Sequence, residues 1–96
     1  KKIKNIADMC KQLKINVYIW GERGVGKTFL AEYIAPNAVI NPKTSTINPV
    51  IIEDFDKNPI FLKSNFLIAT GKKPLNADLL KKYFTMDIEL KPLREH

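Results

Sequence analysis

The spacing of apolar and polar residues along the chain predicts short strands that alternate with helices. Five apolar runs have the length of strands, namely residues 15–20, 38–40, 50–52, 65–69 and 86–90. Three- and four-residue apolar spacing predicts an amphipathic helix over residues 2–13, with Ile3, Ile6, Ala7, Met9, Cys10 and Leu13 on its apolar side. Further helices are expected from about Lys27 to residue 34 and after Asn76. This alternation predicts an α/β fold, in which a parallel sheet of about five strands has helices on both faces.

Between the first strand and the second helix lies a glycine-rich stretch, GERGVGKT at residues 21–28, that matches the phosphate-binding pattern G-x-x-x-x-G-K-[ST]. Glycines let successive backbone N–H groups curl around a phosphate, and the helix that follows adds the positive end of its dipole. We expect Lys27 to reach the β- and γ-phosphates and the Thr28 hydroxyl to help hold Mg²⁺. The alternative is a glycine turn between strand and helix with an exposed lysine and no bound phosphate. The predicted nucleotide-binding positions in this loop are Gly21, Glu22, Gly24, Val25, Gly26, Lys27 and Thr28.

Two acids follow the β-branched run at residues 50–52 and predict the Mg²⁺ side of the same site. A carboxylate at the end of such a strand can hold Mg²⁺, and a second can polarise the attacking water. Glu53 and Asp54 are therefore candidate catalytic and metal-binding residues, and Asp54 is the likelier of the two to orient the water. The alternative is that these acids only solvate the strand end or cap residues 57–62. Thr70, at the tip of the next strand, either senses the γ-phosphate or only completes a turn.

Composition narrows the class of protein. The chain has 96 residues, a formal net charge of +6 and a pI of about 9.5, which fits one domain and a phosphate-rich ligand. The charge is also compatible with nucleic acid, although a solvated lysine surface accounts for most of it. The single cysteine, Cys10, excludes an internal disulfide and is expected to be packed rather than reactive. No apolar run approaches the ~20 residues of a membrane span, so a cytoplasmic location is predicted.

The middle of the chain raises a difficulty for this fold. A crossover between parallel strands usually takes a dozen or more residues and a helix. Residues 41–49 and 55–64 are too short for full crossover helices. Either the fold is shortened in the middle, or residues are missing from the sequence.

Three segments together resemble the AAA+ ATPase domain of NtrC-like, sigma-54-dependent transcription activators. VYIWGERGVGKT at 17–28 is similar to the strand and phosphate loop of that family, and FLIATG at 66–71 is similar to its sensor-one strand. The most selective match is DLLKKYFTMDIELKPLREH at 78–96. The resemblance implies a P-loop domain with an N-terminal helix (1–14), a core (15–91) and an exit segment (92–96). It also implies binding of ATP and Mg²⁺ in a bacterial transcription or response regulator.

Departures from the family pattern indicate a reduced domain. No GAFTGA loop is found in residues 42–49, so direct remodelling of sigma-54 holoenzyme is not expected, and the helical lid is absent. The order of the acids Glu53 and Asp54 is reversed, and Gly71 replaces the sensor asparagine. Asn76 and Lys82 stand where the family has arginines that reach a neighbouring subunit.

ATPase activity is therefore expected to be weak or dependent on partner subunits. Self-association through AAA+ contacts is expected, as is contact with DNA or the transcription machinery through other domains. Two alternatives stay open, namely a non-hydrolysing, nucleotide-gated interaction module and a DNA-associated ATPase of the replication-initiator type.

Overall fold

The computed structural model describes residues 2–22, 24–44, 46–57 and 66–91. The apolar runs and periodic segments of the sequence form three helices and five strands within these residues. In chain order they are α1 (Lys2–Leu13), β1 (Val17–Gly21), α2 (Lys27–Ile34), β2 (Val39–Ile40), β3 (Val50–Ile52), β4 (Leu67–Gly71), α3 (Ala77–Tyr83) and β5 (Met86–Leu90).

All five strands form one parallel sheet in the order β2-β3-β4-β1-β5. In the register of the central strands, Tyr18 of β1 lies opposite Ala69 of β4 on one side and Asp87 of β5 on the other. The predicted α/β class and the five-stranded parallel sheet are confirmed. Because every strand runs the same way, the loops that follow them all emerge at one edge of the sheet.

Apolar side chains cover both faces of the sheet, as expected for strands with nearly continuous hydrophobic sequence. On one face, Val17 and Ile19 of β1 pack with Ala7 and Cys10 of α1 and with residues of α2. On the other face, Tyr18 packs with Phe55, Phe84 and the half-buried apolar residues of α3. Helices α1 and α2 therefore lie on one face, and α3 lies on the opposite face.

The apolar side of α1 is only partly buried. Ala7 and Cys10 are fully buried, and the Cys10 thiol contacts the Met86 sulfur at 3.9 Å, which confirms that this cysteine is packed. Met9 and Leu13, however, are 40% and 63% exposed, so part of the apolar side of α1 remains uncovered. Ile6 is half-buried and packs against the same core as Ala7 and Cys10.

Several boundaries differ from the sequence expectation. Strand β1 begins at Val17 rather than residue 15, and β4 extends to Gly71 rather than ending at Ala69. Thr70 and Gly71 are therefore the last two residues of a central strand. The predicted exit segment at 92–96 and the segment 58–65 lie outside the described residues.

Adjacent parallel strands β2 and β3 are joined by residues 41–49, and no helix is present in the described part of that connection. Backbone hydrogen bonds from Val39 N to Pro49 O (2.9 Å) and from Asn41 N to Ile51 O (2.7 Å) hold the two strands together. The parallel pairing of β2 and β3 therefore persists without a helix in the described part of their connection. Among the described residues, no helix has the length and apolar character that crossing a membrane requires.

At the amino-terminal edge of the sheet, the side chain of Asn16 joins three elements. Its amide oxygen accepts from Leu67 N at 2.8 Å, and its amide nitrogen donates to Tyr83 O at 3.2 Å. Its backbone oxygen accepts from Thr85 N at 2.9 Å. This residue therefore fixes the start of β1 against β4 and the end of α3.

Candidate functional site

The carboxyl ends of β1 and β4 lie side by side, and the chain leaves them in opposite directions. After β1 it enters α2 on one face of the sheet, and after β4 it enters α3 on the other face. This reversal between neighbouring strands is a topological switch point, where ligands of open α/β sheets usually bind. The expected place for a site is therefore the edge where β1, β3 and β4 end.

The loop after β1 places glycines with left-handed backbone conformations, Gly24 and Gly26, just before α2. Gly26 has a φ of 89° and directly precedes α2, where it stands at the N-cap position without a side chain that could cap the helix. A residue with a Cβ would be strained in this left-handed conformation. The first N–H groups of α2 are consequently not capped by Gly26, and such groups are available to an anion.

Lys27 is the first residue of α2, and its side chain bends back over the loop. Its Nζ donates to Gly21 O at 2.6 Å and to Glu22 O at 3.0 Å. Burial lowers the pKa of Lys27, and the charge of Lys72 lowers it further, against the opposing effects of Asp56 and Asp54. The ammonium is thus held at the loop in partly desolvated surroundings that favour an anionic partner.

Thr28 and Glu53 meet across the gap between α2 and β3. The Thr28 hydroxyl donates to Glu53 Oε2 at 2.9 Å. Asn41, directly after β2, donates from its amide to Glu53 Oε1 at 3.1 Å and accepts from Glu53 N at 2.8 Å. Glu53 is therefore held at both carboxylate oxygens and at its backbone.

Asp54 and Thr70 complete the wall of the cleft on the β3 and β4 side. Asp54 is exposed and has a φ of 55°, a left-handed conformation that aspartate tolerates better than most residues. Thr70 is 3% exposed, and its carbonyl accepts from Phe55 N at 2.9 Å, which joins the turn after β3 to β4. Both residues line the same cleft.

The cleft at this edge has a volume of about 410 Å³, within the range of ligand pockets. Basic residues from three different segments meet the two acids of the β3 turn in its walls. Its lining comprises Gly24, Gly26, Lys27, Thr28, Phe29, Glu53, Asp54, Lys57, Thr70 and Lys72.

Next to the cleft, Asp56 fixes the backbone that follows β4. Its Oδ2 accepts from Lys72 N and from Lys73 N, both at 3.2 Å, while its Oδ1 is buried and has no hydrogen-bond partner within the described structure. The Tyr18 hydroxyl donates to Lys73 O at 2.5 Å, and burial, together with the negative charge of Asp56 and of Asp87, raises the pKa of Tyr18. Three hydrogen bonds from two side chains, Asp56 and Tyr18, therefore hold the turn after β4.

Gly71 is packed too closely against Tyr18 and Asp56 for any other residue. A Cβ on this residue would lie 2.1 Å from the Tyr18 hydroxyl oxygen and 2.7 Å from Asp56 Oδ1. No side chain fits there without displacing one of them, so an asparagine cannot occupy this position in the present packing.

Most of the predicted site residues come together. Gly24, Gly26, Lys27, Thr28, Glu53, Asp54 and Thr70 all line the one cleft. Gly21 and Glu22 contribute the carbonyls that hold Lys27, and the Glu22 side chain is exposed. Val25 packs against the core instead.

Sequence reasoning missed Asn41, Asp56, Lys57, Lys72 and Phe29. A signal exists for Asn41 and Lys72, since each is the polar residue that directly follows a parallel strand and must emerge at the ligand edge. Asp56 carries no such signal, because its contacts depend on how the turn after β3 folds.

Asn76 and Lys82 have other partners in the structure. Asn76 is the N-cap of α3, and its side chain accepts from Asp78 N at 2.8 Å, as the sequence predicts for a cap. The Lys82 ammonium lies 5.5 Å from the centre of the Tyr83 ring.

The described residues were also considered for metal-binding clusters, and the chain was compared with known proteins. No group of three or more His, Cys, Asp or Glu side chains capable of holding a metal ion occurs among the residues described. Mg²⁺ in phosphate sites often has only one or two carboxylates, so the pair at β3 is compatible with it. No family model matches the chain, and neither a curated protein nor a solved structure matches it.

Proposed function

We propose that this chain binds ATP together with Mg²⁺ at the carboxyl edge of its sheet. The observation that carries the proposal is the convergence of Lys27, Thr28 and Glu53 on one cleft beside a glycine loop that opens a helix. The five-stranded parallel sheet is compatible with a P-loop fold, in which this edge is the nucleotide site.

Lys27 supplies the charge that phosphate binding needs. Its ammonium now donates to two loop carbonyls, which are weaker acceptors than phosphate oxygens. When a triphosphate enters, the ammonium exchanges one or both carbonyls for β- and γ-phosphate oxygens. The N–H groups around Gly26 bind the same phosphates through the backbone.

Thr28 and Glu53 form the pair that suits Mg²⁺. Their oxygens lie 2.9 Å apart, and both are hard ligands of the kind this ion prefers. Bound Mg²⁺ would neutralise charge on the β- and γ-phosphates. Glu53 is the carboxylate assigned to Mg²⁺ because Thr28 and Asn41 already orient it.

Asp54 is the residue assigned to the attacking water. It lines the cleft one residue beyond Glu53, and unlike Glu53 it is exposed. A carboxylate at this place can orient a water molecule and accept its proton. Weak hydrolysis is expected, and the alternative is a nucleotide-gated interaction module without turnover.

We further propose that the chain is a reduced AAA+ domain of an NtrC-like transcription regulator. It is supported by the three similar segments at 17–28, 66–71 and 78–96. In this role nucleotide binding would control self-association or contact with the transcription machinery.

Equilibrium binding of ATP by calorimetry, with and without Mg²⁺, tests the proposal. Lys27→Ala should weaken binding about 10- to 100-fold, the value of a charge-assisted hydrogen bond or two. Lys11→Ala removes the same charge from α1, where Lys11 lies 5.1 Å from the centre of the Tyr33 ring, and should change affinity less than about twofold. Equal affinity of the wild type and Lys27→Ala would refute the proposed site.

ATP turnover distinguishes a weak ATPase from a nucleotide-gated interaction module that does not hydrolyse ATP. Asp54→Asn should leave ATP affinity nearly unchanged and abolish any turnover that the wild type shows. If wild type and Asp54→Asn hydrolyse ATP equally, Asp54 is not the water-orienting carboxylate.

A further inference from the structure

Lys57 and Lys72 are cations of the cleft that no phosphate-loop pattern includes, and of the two only Lys72 lowers the pKa of Lys27. Lys72 directly follows β4, the strand between β1 and β3, and it lines the cleft together with Gly24 and Gly26 of the glycine loop. Its charge is near enough to Lys27 to contribute to the lowered pKa of that lysine. Two ammonium groups that repel each other in one cleft gain when an anion enters between them.

The backbone of Lys72 is fixed, although its side chain is exposed. Asp56 accepts from the N–H groups of Lys72 and Lys73, and Gly71 packs directly against Tyr18 and Asp56. The base of the side chain is therefore held against the turn that carries Glu53 and Asp54. A lysine on such an anchored turn loses less conformational freedom on binding than one on a mobile loop.

Asn76 and Lys82, which stand where the similar family has arginines that reach a neighbouring subunit, have partners within their own chain. Asn76 is committed to capping α3, and Lys82 lies over the Tyr83 ring. A positive group that stabilises the terminal phosphate can be supplied from the same chain as well as from a partner.

We propose that Lys72 binds the terminal phosphate of the nucleotide within the same chain and that Asp56 positions it. This inference depends on the nucleotide site proposed above and identifies which part of the ligand the β4 turn recognises. Lys72 then makes the site selective for a triphosphate over a diphosphate. Asp56 acts only through the backbone of residues 72 and 73.

The experiment compares the affinities of Lys72→Ala and Lys73→Ala for Mg²⁺-ATP, Mg²⁺-ADP and inorganic tripolyphosphate. Lys73 is a matched control, since it is the next residue, is equally charged and exposed, and is not part of the cleft wall. Lys72→Ala should lose about tenfold in affinity for ATP and tripolyphosphate, with ADP affinity changed less than about twofold. Lys73→Ala should leave all three nearly unchanged.

The outcomes separate this inference from the proposed function. If wild type binds ATP and Lys27→Ala does not, yet Lys72→Ala binds ATP as wild type does, only the role of Lys72 is overturned. An equal loss for ATP and ADP, or equal losses in the two lysine variants, would show general electrostatic attraction and would also overturn it. If wild type binds neither ATP nor tripolyphosphate, both proposals fail.

The positioning role of Asp56 has its own readout. Asp56→Ala should lower the ratio of ATP to ADP affinity by about threefold to tenfold, and the same substitution in Lys72→Ala should lower it no further. Asp56→Asn keeps an acceptor oxygen and should restore most of the ratio, which also guards against a variant that fails to fold. An unchanged ratio in folded Asp56→Ala, or full additivity in the double variant, would contradict the positioning role.

Discussion

Two asparagines at opposite edges of the sheet show how the two edges differ. Asn16, at the amino edge, uses its amide to hold backbone groups of β4 and of the end of α3. Asn41, at the carboxyl edge, uses its amide to hold the side chain and the backbone N–H of Glu53. The first asparagine joins elements of the fold to one another, whereas the second orients a charged group.

The same contrast extends to the residues around them. At the amino edge, polar groups bond to backbone and leave little for a ligand. At the carboxyl edge, Lys27, Thr28 and Glu53 bond to groups that a phosphate or a metal ion can replace. The lesson is that a site is found where polar side chains hold exchangeable partners, since buried polar groups elsewhere are satisfied by the fold.

Asn16→Ala should have the largest effect on stability among the substitutions that test this contrast. It deprives Leu67 N–H of its acceptor and removes the bond to Tyr83 O, which together should cost about 2–4 kcal/mol of unfolding free energy. Urea unfolding measures the loss, and ATP affinity of the remaining folded protein should be unchanged. Asn16→Asp keeps the acceptor and should lose less; equal stability of Asn16→Ala and wild type would contradict the bracing role.

Gly71→Ala should have the second largest effect on stability, because Gly71 packs directly against Tyr18 and Asp56 beside the cleft. Its Cβ would lie 2.1 Å from the Tyr18 hydroxyl oxygen, so the turn at 71–73 must shift. Overpacking of this kind costs about 1–3 kcal/mol. Thermal unfolding gives the magnitude, and a melting temperature equal to that of wild type would show that the junction is not tightly packed.

Asn41→Gly should have a moderate effect that appears in ligand binding rather than in stability. Glycine suits the φ of 50° at this position, so the substitution removes the side chain without adding backbone strain. Glu53 loses a brace, and the gain in ATP affinity that Mg²⁺ confers should fall about tenfold, as for other residues that orient a metal ligand. Calorimetry with and without Mg²⁺ measures this gain. An undiminished gain would contradict the assignment of Glu53 as a Mg²⁺ ligand.

Phe29→Ala should have the smallest effect on stability. Phe29 is 78% exposed on the first turn of α2, so the unfolding free energy should change by less than about 0.5 kcal/mol. The same urea unfolding experiment serves as the test. A loss above about 1 kcal/mol would mean that the rim of the cleft also supports the fold.

The main elements were predictable because each has a strong local signal. The bounds of α1, α2, β3 and β5 follow from periodicity, from the proline after α2 and from β-branched residues. The exposure of Leu13 was not predictable, because helical spacing cannot show how much of a helix face a neighbouring helix leaves uncovered.

The candidate site was predictable where a motif fixes it and unpredictable where tertiary contacts do. The grouping of Lys27 and Thr28 follows from the phosphate-loop pattern, and the structure adds that Glu53 rather than Asp54 contacts Thr28. The clamp of Asp56 on residues 72 and 73 joins turns after two different strands. No local pattern encodes such a contact, because it depends on strand order and register.

The most direct test of the central claim is an NMR titration of the ¹⁵N-labelled protein with Mg²⁺-ATP. We expect saturable shifts of the backbone amide signals of Gly26, Lys27, Thr28, Glu53 and Lys72, with little change at Asn16 and across the amino edge. Shifts confined to the amino edge or to the lysines of α1, or no saturable shift at any position, would contradict a nucleotide site at the carboxyl edge of the sheet.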